Sequence, residues 1–327
     1  MTARSSCCSL ACIALLQIVL AAAAAAEVPR PSTFSIVAAD PAAGEVGVAV
    51  ASRFFSVGSV VPFARAGVGA VATQASANTT YGPGALTLLA NGASPSETLA
   101  ILTRSDADPK ARQVGVVAAD GASATYTGPG ANTWAGGRSG PGYAVQGNIL
   151  TGEPVVAAME KAFLESAGKS LAERLYAALA AGDAAGGDSR GKQSAVLMVS
   201  RAGGGYGGFD DRAVDIRVDD AKEPIVELGR LLSLALVNDL WNRGWAAFML
   251  GRRGDDLKWQ EATLARAEAA KAEVLPEVLY DTAVIRLANG DRAGAEAALE
   301  RALALNPKLA QQAANDADLA ALREPEK

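Results

Sequence analysis

TFSIVAADPAAGEVGVAVAS, Thr33 to Ser52, is the stretch that decides the fold. Two β-branched apolar runs, Thr33 to Ala39 and Glu45 to Ser52, are joined by Asp40-Pro-Ala-Ala-Gly44. A Pro and a Gly between two extended runs supply the chemistry of a turn, so the stretch is an antiparallel hairpin. Outward from it, strands are expected at Gly67 to Ala75, Gln113 to Ala119, Ala122 to Thr127 after a turn at Asp120-Gly121, Tyr143 to Gly147, Ser194 to Ser200 and Ala213 to Val218. Helical spacing marks Gly84 to Asn91, Ser94 to Ser105, Glu153 to Ala167 and Ser170 to Ala181, and Ser94 with Pro95 and Glu97 gives the second of these a reciprocal cap. Strands gathered at both ends, with two pairs of helices between, predict an α+β fold: antiparallel sheets with helices on their outer faces, in a four-layer α/β/β/α sandwich.

After about Pro224 the composition shifts to Ala, Leu, Arg and Glu at helical spacing. Pro276 to Pro307 is similar to one tetratricopeptide (TPR) repeat, with Ala283, Gly290, Ala295, Leu299, Ala302 and Pro307 at that pattern's small, turn, packing and terminating positions. Asn238 to Val274, with Trp241, Trp245 and Trp259, is expected as a degenerate preceding repeat and Leu309 to Leu322 as a capping helix. About three repeats are needed for independent stability, so packing on the first domain, on a second copy or on a protein partner is implied. The tryptophans serve either as core for that docking or as a ligand groove.

At the other end, Arg4 precedes an apolar run from Leu10 through Leu20 into Ala21 to Ala26, followed by Glu27 and two prolines. This is the pattern of a secretory signal cut after Ala26. The expected organisation is a signal over 1–26, a short linker or propeptide over 27–32, a first domain over 33–235 and a helical domain over 236–327. Cys7, Cys8 and Cys12 all fall in the leader, so the mature chain has no thiol and suits a periplasm or extracellular space.

The 327 residues are 50% hydrophobic and 20% charged, with 30 Lys+Arg against 35 Asp+Glu, a net charge of −5. That balance gives no basic footprint for nucleic acid or anionic lipid, and no membrane association is expected after signal cleavage. The absence of histidine removes Ser-His-Asp and Cys-His catalysis, His-ligated zinc and any imidazole base. No flavin or nicotinamide fingerprint occurs, and no cofactor is expected. Gly203-Gly-Gly-Tyr206-Gly-Gly-Phe-Asp210-Asp211-Arg212 lacks the Lys-Ser/Thr ending of a phosphate loop and is expected as a hairpin turn with Tyr206 or Phe209 packed over it. Asp210, Asp211, Asp215, Asp219 and Asp220 do not follow EF-hand spacing and are expected along a solvated edge.

Six blocks in order carry a resemblance: Thr33-Phe-Ser-Ile-Val-Ala-Ala-Asp40, Gly47-Val-Ala-Val-Ala-Ser-Arg-Phe-Phe55, Gly69-Ala-Val-Ala-Thr-Gln-Ala75, Gln146-Gly-Asn148, Gly186-Gly-Asp-Ser-Arg-Gly-Lys-Gln-Ser194 and Gly207-Gly-Phe-Asp-Asp-Arg212. Together, over roughly residues 33 to 235, they resemble the domain of unknown function 1028 family, which is grouped with the N-terminal-nucleophile (Ntn) hydrolases. The resemblance implies a free amino-terminal Thr33 whose hydroxyl attacks and whose own α-amine is the base, with no imidazole required. Ser32 and Ser35 are alternative nucleophiles, and the alternative role of Thr33 is simply to begin a strand. Residues 27–32 stand ahead of Thr33, so a second cleavage is needed to expose its amine.

By the same resemblance Ser52 and Arg53 stand beside the nucleophile, although Ala51 occupies the place where such enzymes carry an acid. Arg65 falls near their lysine and, as a permanent cation, either stabilises an oxyanion or pairs with a surface carboxylate. Thr73-Gln74, Asn78 and Asn148 offer donors for an oxyanion hole or, alternatively, satisfy backbone in turns. Asp188 and Arg190, in a glycine-rich loop with Gln193 and Ser194, either fix a substrate amine or carboxylate or form an ion pair within the loop. The expected activity is hydrolysis of a small amide or peptide bond; the alternative is a catalytically inactive binding or assembly protein that uses the helical tail.

Overall fold

β1 (Thr33–Asp40) and β2 (Glu45–Ser52) pair antiparallel along their whole length, Thr33 opposite Ser52 and Asp40 opposite Glu45. Asp40 Oδ1 accepts the Ala42 and Ala43 amides and closes the turn. The computed structural model describes residues 33–324. The signal read over 1–26, the stretch 27–32 and Ser32 therefore lie outside the described residues.

The chain continues through β3 (Pro62–Arg65), β4 (Gly69–Ala75), α1 (Tyr81–Ala90), α2 (Pro95–Ser105), β5 (Arg112–Ala118), β6 (Ser123–Thr127), β7 (Gly136–Gly140), β8 (Tyr143–Asn148), α3 (Pro154–Glu165), α4 (Leu171–Ala184), β9 (Ser194–Arg201) and β10 (Arg212–Val218). α5 (Pro224–Met249), α6 (Asp255–Ala269), α7 (Leu275–Ala288), α8 (Arg292–Leu305) and the short α9 (Ala310–Asn315) complete it. Two antiparallel sheets form, a six-stranded one in the order β10-β9-β2-β1-β8-β7 and a four-stranded one in the order β3-β4-β5-β6.

Period-two alternation sorts the side chains into layers. Phe34, Ile36 and Ala38 face a core with Met159, Phe163, Leu175 and Leu179 of α3 and α4. Val37 and Ala39, with Val48 and Val50, face the second sheet through Ala70, Ala72 and Val117. On that sheet's far side Val71, Val114 and Val116 pack on Tyr81, Leu86, Leu89 and Leu99 of α1 and α2. The layer order is helices, sheet, sheet, helices. The reciprocal cap of Ser94 and Glu97 starts α2, and Ser170 with Glu173 starts α4 in the same way.

β3 and β7 are absent from the sequence expectation, and both are edge strands. Edges need only one hydrogen-bonded flank, so short or glycine-rich segments such as Pro-Phe-Ala-Arg and Gly-Gly-Arg-Ser-Gly suffice there. The capping helix expected over Leu309 to Leu322 is broken: α9 stops before Asp316, whose side chain accepts the Asp318 amide and starts a separate 3-10 turn over Ala317–Arg323. Tyr206 and Phe209 do not pack over the β9–β10 turn; they are 83% and 91% exposed. A Cβ on Gly207 would meet the Phe209 ring at 2.8 Å, so this loop folds on itself and not on the sheet.

The helical part has its own core, in which Val237, Leu264, Val278, Leu279, Ala283 and Ala298 are buried and Trp241, Trp245 and Phe248 pack against it. α5 serves both regions. Its first half sends Ile225, Leu228, Leu232 and Leu236 into the core of α3 and α4, and its second half carries the tryptophans. The boundary drawn at 235/236 thus falls inside one continuous helix.

Four charges fasten α5 to the larger sheet. Arg201 contacts Glu45 at 2.7 Å and Asp239 at 2.6 Å, and Arg243 contacts Glu45 at 3.1 Å and Asp239 at 2.9 Å. Burial works against the Arg201 charge, but the bonds with Asp239 and Glu45 outweigh it and hold the guanidinium above its ordinary range. Among the described residues, no helix is long and apolar enough to cross a membrane.

Candidate functional site

Because β1 lies between β8 and β2, its first residue acquires a polar neighbour on each side. Thr33 pairs with Asn148 and with Ser52, and Ser52 pairs with Ser194 on β9. This places Asn148, Thr33, Ser52 and Ser194 in one row across four strand ends, none more than 2% exposed. The Thr33 and Ser52 hydroxyl oxygens are 3.3 Å apart.

Behind the row lies a buried network of amides. Gln74 Nε2 donates to the Thr33 carbonyl at 3.2 Å and to Gln113 Oε1 at 2.8 Å. Asn148 Nδ2 donates to the same Gln113 oxygen at 3.0 Å. Gln113 Nε2 in turn donates to the Gly147 carbonyl at 2.8 Å and to Thr127 Oγ1 at 2.9 Å. Ser35 Oγ donates to Gln74 Oε1 and accepts from Gln146 Nε2, both at 2.6 Å, which ties it into the wall of the network. These groups are neutral, and bonded neutral amides can be buried at little cost where a lone charge cannot. Gln113, a hub of this network, is not among the residues singled out from the sequence.

The loop after α4 closes the row from the side. Asp188 accepts the Arg53 amide at 2.8 Å and the Arg190 Nη2 at 3.0 Å, so its ion pair is within the loop. Gln193 donates its amide to the Ser52 carbonyl at 3.1 Å and its side chain to Asp220 at 3.2 Å. Ser194 Oγ donates to the Phe54 carbonyl at 2.5 Å and accepts the Val57 amide at 3.1 Å. The Arg53 guanidinium is exposed at the rim and donates to the Lys192 carbonyl at 2.9 Å. A small cavity of about 80 Å³ opens here, lined by Ser52, Asp188, Lys192, Ser194, Phe34 and Ile225.

Backbone strain gathers at the same end. Among the described residues four non-glycine residues have left-handed φ, and two of them, Ala75 (φ 66°) and Ile149 (φ 51°), directly follow Gln74 and Asn148. A β-branched residue in that region is an outlier, and such strain concentrates at functional sites.

Two expected residues lie elsewhere. Asn78 caps the approach to α1: its amide donates to Asp106 at 2.9 Å and its oxygen accepts the Thr80 amide at 3.1 Å. The Arg112 guanidinium on Asp106 holds that carboxyl well below the usual range. Arg65 pairs with Gly69, at the opposite end of β4 from Gln74, and donates to the Leu86 carbonyl at 3.0 Å; among the described residues it meets neither the polar row nor a carboxylate. The aspartates after Gly208 have separate partners: Asp211 accepts the Ala66 amide, Asp215 pairs with Arg217 and Asp219 accepts the Ser56 hydroxyl.

No curated protein matches the chain. The crystal structure of a DUF1028 protein from Silicibacter pomeroyi is similar, at 29% sequence identity and a TM-score of 0.57, covering 62% of this chain and 89% of that one. Residues 33–228, which begin at Thr33 and include the whole polar row and the loop that closes it, match the family of unknown function DUF1028, and the chain belongs to that family.

Proposed function

We propose that residues 33–235 form an Ntn-type amidohydrolase of an exported protein, which cleaves a small amide or peptide bond with Thr33 as nucleophile. The observation that carries the reading is the position of Thr33: first residue of a central strand, hydroxyl 3.3 Å from Ser52, with Asn148 alongside. The helix-sheet-sheet-helix layering and the strained turns after Gln74 and Asn148 support it.

The base comes from the resemblance to Ntn hydrolases: the α-amine of Thr33 itself, freed by cleavage after Ser32 and ordinarily titrating at ~7.7–8.0. That no charged group bonds the Thr33 hydroxyl among the described residues is compatible with this role. The amine takes the hydroxyl proton as Oγ1 attacks the carbonyl carbon. The tetrahedral oxyanion draws on the Asn148 amide, the leaving amine departs with the proton, and water hydrolyses the Thr33 ester. Ser52 fixes the Thr33 hydroxyl, and Arg53 at the rim pairs with a substrate carboxylate. Intact mass and amino-terminal sequencing of the exported protein, beside Thr33→Ala, test this. A chain beginning at Thr33, with amide hydrolysis lost in Thr33→Ala, is the expected result; a homogeneous chain beginning at Glu27 overturns it.

A second reading, a non-catalytic binding or assembly protein, is favoured by a different observation: Thr33 is fully buried and Asp188 is already bonded within its loop. Here the TPR-like pair α7 and α8 supplies the contact surface for a second copy or a protein partner, and Thr33→Ala leaves partner binding unchanged.

A further inference from the structure

Arg230, Leu234, Val237 and Trp241 recur at helical spacing along one face of α5, and the turn after α6, from Ala270 to Val274, lies across that face. Between them is a cavity of about 560 Å³, the size of a small-molecule site. Its apolar surface comes from Leu234, Val237, Ala272 and Val274 together with the Trp241 ring. That ring is held in place: Trp241 Nε1 donates to Asp281 Oδ2 at 2.7 Å, and Trp245 Nε1 donates to the same oxygen at 2.6 Å. Of the three charged residues in the lining, Arg230 is held in a two-bond pair by Glu227 on its own helix, at 2.9 and 2.6 Å. Glu273 is the acid. The Lys271 backbone donates to the Glu268 carbonyl at 3.1 Å, whereas its ammonium has neither a hydrogen bond nor an ion pair among the described residues, and the residue occupies φ +47°, where glycine is the unstrained choice. A lysine at a backbone conformation that favours glycine, beside a fixed indole and an apolar floor, matches an elongated apolar ligand with one negative end.

We propose that this cavity binds an apolar carboxylate, its hydrocarbon body on Trp241 and Leu234 and its carboxylate on Lys271. The site is separate from Thr33, and the proposal is independent of any reaction there.

Calorimetric titration of the full chain with decanoate, and with uncharged 1-decanol as the comparison, tests it. Saturable decanoate binding is expected. Lys271→Gly, which suits the backbone conformation, should weaken it about tenfold or more while leaving 1-decanol unaffected, the loss corresponding to one charge contact. Leu234→Glu, on an exposed part of the wall, should abolish decanoate binding without unfolding the chain, as circular dichroism will show. Absence of saturable decanoate binding overturns the proposal. So does undiminished decanoate binding in either variant: in Lys271→Gly it removes the carboxylate assignment, and in Leu234→Glu it removes the cavity itself.

Discussion

The ladder between β2 and β9 has two unlike ends. At one, Glu45 faces Arg201, and both join Asp239 and Arg243 in a closed quartet; seven residues along, Ser52 faces Ser194 in a row with Thr33 and Asn148 and no ionised side chain. Both ends are buried, yet one is built from paired charges and the other from neutral hydroxyls and amides, with Asp188 and Lys192 only at its flank. A balanced quartet anchors one element to another because its charges have little else to do. A neutral row leaves a hydroxyl whose reactivity is set by whatever group arrives, which suits the free amine proposed for Thr33.

The comparison can be broken most forcefully at its charged end. Arg201→Met leaves Glu45 and Asp239 sharing one arginine and should cost about 3–5 kcal/mol in urea unfolding; a loss below about 1 kcal/mol would mean the quartet is merely a surface ornament. Asp281 supplies a case between the two ends, a carboxylate bonded by two indoles and no cation. Burial pushes its carboxyl up to about 6, the Trp245 and Trp241 bonds oppose the rise, and Asp316 and Glu277 add to it. The folded form therefore binds more protons than the unfolded chain between ~4 and ~6, so its contribution to stability is full at low pH and falls, by up to about 3 kcal/mol, as pH rises through that window. Subtracting the pH profile of Asp281→Asn from that of the parent should isolate this slope, and identical profiles would refute it. At the neutral end the effect is smaller. Gln113→Leu removes one acceptor of the Gln74 amide, one of the Asn148 amide and the side-chain donor to the Gly147 carbonyl, and should cost about 1–3 kcal/mol by thermal or urea unfolding, with no change in the pH profile.

What sequence made legible follows from range. The Thr33–Ser52 hairpin needs only alternation and a Pro-Gly turn, both local, and its strands appear where those signals placed them. β3 and β7 escape because an edge strand needs little of its own. Thr33, Ser52 and Asn148 could be picked out one by one, but only the register makes them a row. Asn78 and Asn148 look equivalent as letters, yet one satisfies a helix approach and the other a sheet end. Gln113 stands out only as the polar residue just ahead of the apolar run Val114 to Ala118, and a single glutamine carries no statement about which strand it will meet.

One helix crossing two cores has a mechanical meaning. The 26 residues of α5 act as a shared beam: tilting the tail would drag Leu228 and Leu232 through the packing of α3 and α4, while loosening those helices would release the tryptophans at the far end. Glu173 strengthens the tie, since its carboxylate both caps α4 and holds Arg266 of α6 at 3.0 Å. Folding of the tail is thus coupled to folding of the sheets, and a single melting transition is the expected outcome, with the cavity beside Lys271 and the row at Thr33 lost together in a differential scanning experiment.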